Sequence, residues 1–409
     1  MAEAEAPTGV APGRGRLLAS IPHRVLLLIV TLGVNNLAFS YLMIVITAFL
    51  PEVGVSTGTI GLVLGAEGLA MAALAIPLGI LSDRKGRRWI LVLGMAGGAP
   101  LFFVVALTRD PMLLIMGGIS AGVLEGAYLA TVNAMIADQT TVENRDSAFA
   151  LSFIIGSISG GVGSALPFVI PFLSLALGLS SVVVHVDLLL LFGVVSVIVP
   201  AEVWWVLRGL REEPRPGRPW RGVSTSRLLR FSVYNGMIGL GAGFIIPLIP
   251  TWLFLRFGLP DTVSGPVLAV ASLTIGLAAI FSPRLSKGLG PVRAIALTQG
   301  LSVAFMLSLA FLGDAKLALV VYVVRTALMN MSAPIADSFL MGIVDPEERG
   351  LASSINAIIW RVPNSVTTIV GGAILAGGDY LIPFLLAGGF YAVGITILYL
   401  NFRKTKLTD

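Results

Sequence analysis

The sequence predicts an all-α integral membrane protein with twelve transmembrane helices, arranged as two parallel six-helix repeats. Three observations predict this class: an apolar composition, twelve apolar segments of membrane-spanning length, and an internal repeat at an offset of 204 residues. Of the 409 residues, 56% are hydrophobic and 12% are charged, and the mean hydropathy is +0.93. Soluble domains have about 25% charged residues, so we expect the bilayer to surround this chain.

A membrane-spanning helix needs about 20 mainly apolar residues. Twelve segments have this length, and the fifth and sixth are separated by a hairpin that we place near 173–183. The predicted spans lie near 24–50, 58–81, 88–108, 112–137, 147–172, 184–207, 231–255, 262–282, 291–312, 316–338, 350–375 and 379–402.

Positive charge is distributed unequally between the two sides of these spans. With both termini in the cytoplasm, 22 of the 27 Lys and Arg residues are cytoplasmic, three are external and two lie within spans. Cytoplasmic loops carry an excess of Lys and Arg. We therefore expect a multi-pass protein of the plasma membrane with both termini in the cytoplasm.

Polar segments divide the chain into five regions. The longest is rich in arginine and proline, which keeps it out of the membrane and separates six spans from six. The predicted regions are an N-terminal tail (1–23), an N-terminal bundle (24–207), a basic linker (208–230), a C-terminal bundle (231–402) and a C-terminal tail (403–409).

The two bundles match each other at the offset of 204 residues, mainly at loops and span ends. A repeat of six spans preserves orientation, so the halves are predicted to be parallel repeats about an axis along the membrane normal. The matched pairs include Thr47 with Thr251, Gly54 with Gly258, Gly86 with Gly290, and Asp110 with Asp314.

The composition excludes several functions. With no cysteine and two histidines, we expect neither disulfides nor a structural zinc site. The chain has no phosphate-binding Gly-x-x-x-x-Gly-Lys-Ser/Thr motif, which argues against direct use of ATP. No nucleophile–base pair is present, so we expect no enzyme activity and no cofactor. The net charge of +5 comes from bases beside the membrane, which favours anionic lipids over nucleic acid as partners.

The loop between the second and third spans holds the most specific motif. Five of its ten residues are charged, so it lies at a membrane surface. Its pattern is Gly, three residues, Asp, a base, any residue, Gly and two bases: Gly79, Asp83, Arg84, Gly86, Arg87 and Arg88. This loop resembles the signature loop of the major facilitator superfamily of secondary transporters.

That resemblance implies a gating role for the loop. In the family the Asp, here Asp83, contacts the start of helix 11 and latches the cytoplasmic side shut. The loops after helices 4 and 10 would supplement this latch with Glu143, Arg145, Glu347, Glu348 and Arg349. The alternative is that these loops only enforce topology.

Four charges fall within predicted spans: Glu67, Glu125, Arg325 and Arg361. A charge at a helix centre costs roughly 2.5–3.5 kcal/mol, so these groups must be paired, protonated or facing a water-filled cavity. They form either a structural ion pair or a site for substrate and protons. Because burial favours the neutral form of a carboxyl, Glu125 and Glu67 are the candidates for proton coupling.

The resemblance also implies which helices meet. In the family, helices 1, 4, 7 and 10 line the cavity, which favours Glu125 and Arg325 as lining residues. Helices 2 and 11 pack together, which suggests a Glu67–Arg361 pair. Three asparagines in the first and seventh spans either bind substrate or bond across helices: Asn35, Asn36 and Asn235.

His185 and Asp187 lie near the outer end of the sixth span, where we expect them to be solvated.

Taken together, these features predict a secondary active transporter that moves a small molecule by alternating access, with proton coupling and export of drugs or amphiphiles. We expect a monomer that binds a small-molecule substrate, protons and membrane lipids. An uptake symporter or uniporter for organic anions or nutrients is the alternative, followed by a channel or a non-transporting receptor.

Overall fold

The computed structural model of this protein describes residues 21–208, 225–344 and 349–404. Within these ranges the chain forms twelve long helical segments, which confirms the predicted all-α class. They are α1 (His23–Glu52), α2 (Thr57–Lys85), α3 (Arg87–Leu107), α4 (Pro111–Asp138), α5 (Val142–Ala165, continued by Leu166–Val169 and Ile170–Leu177), α6 (Ser181–Val206), α7 (Thr225–Gly243, continued by Ile246–Leu248 and Ile249–Phe257), α8 (Asp261–Leu289), α9 (Pro291–Leu309), α10 (Ala315–Met331 and Ala333–Ile343), α11 (Arg349–Ala376) and α12 (Ile382–Phe402).

Most of these segments match the bilayer in length and polarity. In the described part of the chain, eleven helices are long and apolar enough to cross a membrane, and the apolar stretch Asp261–Ile275 of α8 adds a shorter one. The hairpin hidden in the long apolar region is a tight turn at Gly178, whose φ of +66° suits glycine. This turn falls within the predicted range 173–183.

The internal repeat is visible in the backbone. Gly54 and Gly258 both have positive φ (+90° and +65°), as do Gly86 and Gly290 (+106° and +79°). A positive φ favours glycine because a Cβ would clash there, which explains why these matched positions keep the same residue. The two predicted parallel six-helix repeats are thereby confirmed.

Two further matched pairs support this symmetry. Asp110 accepts a hydrogen bond from the backbone N–H of Leu113 at the start of α4, and Asp314 caps α10 in the same way. The Thr251 hydroxyl donates to the Thr47 carbonyl. Because these two threonines are equivalent residues in contact with each other, they lie next to the axis that relates the halves.

The loop joining α2 to α3 defines the two ends of the bundle. We call the side of this loop the inner side and the opposite side the outer side. The two halves pack across α2 and α11: a Cβ added at Gly61 would lie 2.8 Å from the Thr368 carbonyl oxygen, and one at Gly65 would lie 2.7 Å from the Ser365 carbonyl oxygen. Both contacts are in the outer half of α2, so these helices hold the two halves together on the outer side.

Candidate functional site

A cavity of about 420 Å³ lies between the two halves. Helices α1, α2, α4 and α5 border it from the N-terminal half, and α7, α8 and α11 border it from the C-terminal half. A π-helical turn, Val45–Phe49, interrupts α1 here, and a 3-10 turn, Ile246–Leu248, interrupts α7. Such irregular turns are frequent at functional sites. Among the described lining residues none comes from α10, although the resemblance implied that helix.

Three of the four intramembrane charges meet at this cavity: Glu67 of α2, Glu125 of α4 and Arg361 of α11. Glu67 is 3% exposed. The Glu67 and Glu125 side chains are within hydrogen-bonding reach of each other, and the positive charge of Arg361 acts on both. Two ionised carboxylates side by side repel each other, so a proton shared by the pair would stabilise this arrangement.

The hydrogen-bonding capacity of the site is incompletely used. Among the residues that the structure describes, no hydrogen-bond partner reaches Glu125 Oε2 or Arg361 Nε, although both atoms are buried. Buried polar atoms normally have partners. The site therefore offers one free acceptor and one free donor to a molecule or a proton that enters the cavity.

Glycines let the helices that carry these charges approach closely. A Cβ added at Gly68 would lie 3.0 Å from Arg361 Nε, so the guanidinium packs directly against the backbone of α2. A Cβ at Gly122 of α4 would overlap the Glu67 carbonyl. Small residues allow such backbone contact between membrane helices, and here they place Glu67, Glu125 and Arg361 around one space.

Two of the three predicted asparagines, Asn36 and Asn235, bond across helices. Asn36 donates to the Gly156 carbonyl at 2.7 Å and ties α1 to α5, and Asn235 donates to the Asn356 carbonyl at 2.9 Å and ties α7 to α11. Asn35 and Asn36 also line a second cavity of about 130 Å³ inside the N-terminal half. Glu125 borders both cavities.

Arg325 lies away from this group. It is 3% exposed and packs inside the C-terminal half, where its Nη2 donates to the Tyr391 hydroxyl at 3.0 Å. Its guanidinium also lies 5.6 Å from the centre of the Tyr391 ring. The structure therefore does not bring Arg325 to the central cavity.

Comparison with known proteins decides the family. The family model of the Major Facilitator Superfamily matches residues 28–331 and, in a second match, residues 232–408. The chain belongs to the major facilitator superfamily. It is accordingly a membrane transporter and not an enzyme.

Relatives within this superfamily agree with the fold. The inner membrane transport protein YajR of Escherichia coli is 34% identical over 36% of this chain, an alignment that covers 31% of YajR. The multidrug resistance protein MdtG of Dickeya zeae is 24% identical over 81% of this chain and 82% of its own length. A crystal structure of a bacterial homolog of the human lysosomal transporter Spinster, inward-facing and occupied, has a TM-score of 0.73 at 15% identity, covering 93% of this chain and 97% of that one.

The superfamily signature loop forms a tight inner turn. Gly86 ends α2 and precedes α3 with a φ of +106°. Arg87 pairs with Asp138 at the inner end of α4 at 2.5 Å, and the Arg88 guanidinium lies 3.9 Å from the Trp204 ring of α6. Arg84 is exposed in the last turn of α2. Gly79 lies earlier in the same helix. The loop thus connects the inner ends of α2, α4 and α6.

The remaining latch residues are only partly described. Arg145 donates to the Ala137 and Thr140 carbonyls, so it caps the inner end of α4. Glu347 and Glu348 lie outside the described residues, as do the side chains of Asp83, Glu143 and Arg349. The latch itself stays a prediction.

Sequence reasoning missed the uncharged part of the cavity wall. It includes Phe39, Met43 and Thr47 of α1 and Ser365 and Thr368 of α11. These residue types are common throughout the chain, so only the rotation of each helix distinguishes them.

The expectation that His185 is solvated is wrong. The side chain is 1% exposed because Tyr41, Phe49 and Asp261 enclose it. The next acidic residue along the same helix, Asp187, is exposed as expected.

Proposed function

We propose that this chain is a secondary active exporter that moves small amphiphilic molecules, including drugs, out of the cytoplasm in exchange for protons. The observation that carries the proposal is the group of Glu67, Glu125 and Arg361 in the central cavity.

The charge balance of this group supports proton exchange. With Arg361 cationic, one proton on the glutamate pair leaves the group neutral, and loss of that proton leaves a net charge of −1. An uncompensated charge at this depth costs roughly 2.5–3.5 kcal/mol. A cationic substrate compensates it as well as a proton does, so binding of one favours release of the other.

The shape and walls of the cavity support an amphiphilic substrate. Its volume of about 420 Å³ is within the usual range of about 300–1,000 Å³ for small-molecule sites. Phe39, Met43, Leu64 and Ile246 provide apolar surface around the charged group. The similarity to the multidrug resistance protein MdtG over most of both chains supports the same substrate class.

Transport would proceed by alternating access. The bundles 24–207 and 231–402 would rock about the central cavity in a monomer whose termini are both cytoplasmic. In this scheme Asp83 and the start of α11 form the inner latch, and the inner side of the structure faces the cytoplasm. Membrane lipids contact the basic inner loops.

One observation favours a second candidate. The free Arg361 Nε would allow the guanidinium to bind a carboxylate or phosphate. An uptake symporter for organic anions is therefore the alternative function, with a uniporter, a channel or a receptor as further outcomes of the test.

The test is flux in proteoliposomes that contain a pH-sensitive dye, challenged in turn with cationic drugs, organic anions and lipids. We expect a cationic amphiphile to move protons in the opposite direction with saturable kinetics. Glu125→Gln should reduce coupled proton flux at least tenfold, because the pair then lacks a carboxyl that exchanges protons. Glu202→Gln, at an exposed glutamate of α6, is the matched control and should keep wild-type flux.

Four outcomes would contradict the proposal. Proton movement in the same direction as an organic anion would establish the symporter. Saturable substrate flux without proton movement would establish a uniporter, and flux linear in concentration would establish a channel. Saturable binding without any flux would establish a receptor.

A further inference from the structure

A buried polar cluster lies at the outer end of the molecule, separate from the central cavity. It consists of Tyr41 of α1, His185 of α6 and Asp261 of α8, which are at most 2% exposed. His185 Nε2 lies 3.1 Å from Asp261 Oδ2, and His185 Nδ1 lies 3.0 Å from the Tyr41 hydroxyl. The Phe49 ring stacks on the imidazole at 3.8 Å. None of these four residues is among the described lining of the central cavity.

This cluster crosses the boundary between the two halves. Tyr41 and His185 belong to the N-terminal half, whereas Asp261 is the first residue of α8 in the C-terminal half. A second bond crosses at the same place, because the backbone N–H of Asp261 donates to Glu52 Oε1 at 2.6 Å. We call the boundary formed by Tyr41, Glu52, His185 and Asp261 the outer seam.

We propose that His185 and Asp261 form a proton-binding site at the outer seam, which takes up a proton when the seam closes and releases it when the seam opens. This inference rests on the alternating access proposed above, since the seam must open for its groups to meet water.

The buried carboxylate of Asp261 needs a positive charge beside it. Asp261 Oδ2 lies within ion-pair distance of His185 Nε2, and the Glu52 carboxyl accepts from the Asp261 backbone N–H. Among the described residues, no hydrogen bond reaches the buried Asp261 Oδ2. A neutral imidazole would leave the Asp261 carboxylate buried without a counter-charge, which is costly. A protonated imidazole pairs with it. In an open seam water solvates both groups, and an imidazole in water exchanges its proton near neutral pH.

Other charged groups near this end do not supply the missing charge. Arg109, at the outer end of α3, donates to the carbonyls of Val105 and Thr108. Asp110 caps α4. Asp187 of α6 and Arg256 of α7 are exposed. The outer part of α5, Ile170–Leu177, has no charged residue.

The first test measures the proton directly. The chain has only two histidines, and His23 is exposed at the opposite end of the molecule. The variant His23→Gln therefore leaves His185 as the single imidazole, whose protonation state can be followed by nitrogen NMR of histidine-labelled protein in nanodiscs. We expect the nitrogen signals of an imidazolium while the seam is closed. A neutral imidazole in a closed seam would overturn the proposal.

The second test measures opening. The chain has no cysteine, so spin labels can be attached at Val183→Cys of α6 and Val263→Cys of α8, which are both exposed at the outer end. Linkage of one proton changes the ratio of closed to open seam by up to about tenfold per pH unit. We expect the closed distance to lose population between pH 6 and pH 8.

Variants separate the proposed site from a structural role. His185→Gln should reduce the pH response, and Asp261→Asn should reduce it independently, because closing then buries no carboxylate at that position, while the Glu52 carboxyl of the seam is unchanged in both variants. Asp261→Asn also serves if His185→Gln fails to fold. The matched control His23→Gln should respond as the parent does. An unchanged pH response in either folded seam variant would overturn the proposal.

These measurements stand apart from the transport assay. They use no transported compound, so a pH-independent seam would remove this inference and leave proton exchange at Glu67 and Glu125 untouched. A pH-dependent seam in a protein without coupled flux would support this inference and contradict proton exchange at Glu67 and Glu125.

Discussion

Arg325 and Arg361 are both arginines within membrane-spanning helices, but their surroundings differ. Arg361 borders the central cavity beside two glutamates, where its charge offsets one of theirs. Arg325 has no carboxylate within ion-pair distance among the described residues, and its described side-chain partner is the hydroxyl and ring of Tyr391. The first arginine is therefore placed to bind, whereas the second is placed to hold the C-terminal half together.

This difference predicts the effect of Tyr391→Phe. The change removes the hydroxyl that accepts from Arg325, and a hydrogen bond to a charged group contributes about 1.5–3 kcal/mol. We expect the free energy of unfolding to fall by that amount, with substrate affinity unchanged, in thermal unfolding and binding measurements on detergent-solubilised protein. Tyr399→Phe on the same helix, at a tyrosine that is 36% exposed, is the control and should change neither. A large loss of affinity in Tyr391→Phe would instead place Arg325 in the binding site.

At the scale of helices, close packing depends on glycines that face neighbouring backbones. Gly118, Gly122 and Gly126 are spaced four residues apart on α4, and each faces a backbone atom of α2. Gly61, Gly65 and Gly68 of α2 in turn face α11. Helix α2 is thus held between α4 of its own half and α11 of the other half. This arrangement places a residue of α2, Glu67, beside charges from both neighbours.

Gly122→Ala tests this packing. Alanine favours a helix over glycine by about 1 kcal/mol, but its Cβ would overlap the rigid Glu67 carbonyl, and overpacking costs about 1–3 kcal/mol. We expect a lower melting temperature together with weaker proton-coupled flux, since Glu67 must shift. Gly300→Ala, at an exposed glycine of α9 with open space around it, should keep or raise the melting temperature. Equal melting temperatures for the two variants would show that α2 and α4 can separate without cost.

For the whole molecule, the described contacts between halves include several on the outer side: Thr47 with Thr251, Glu52 with Asp261, and α2 with α11. The alternating access proposed above would require these contacts to break while an inner closure forms. The signature loop lies at the inner ends of α2, α4 and α6, where such a closure is expected.

The latch predicts the effect of Asp83→Ala. Without this carboxylate the positive N-terminal end of α11 loses its partner, so we expect normal expression and a population shifted toward the inward-open state. The reporter is Ser40→Cys in the central cavity, labelled by an impermeant maleimide from either side of oriented vesicles. Labelling from the cytoplasmic side should increase several-fold. Asp187→Ala, at an exposed aspartate of α6, is the control, and equal labelling in both variants would refute the latch.

The sequence by itself determined the number and ends of the helices, the internal repeat and the resemblance to a transporter superfamily. These properties depend on local causes: apolar length, positive-φ glycines such as Gly86, and aspartate caps such as Asp110. Residues close in the chain specify each of them. Even the hairpin near Gly178 could be placed within a few residues.

Only the tertiary structure decided which charges meet. The spans are apolar on nearly every side because lipid and protein interior are equally nonpolar, so the sequence does not reveal the rotation of each helix. Glu125 therefore could be placed near a cavity but not beside Glu67, and Arg325 was expected at a cavity that it does not line. His185 was expected in water for the same reason, because its partner Asp261 is 76 residues away in the chain and belongs to the other half.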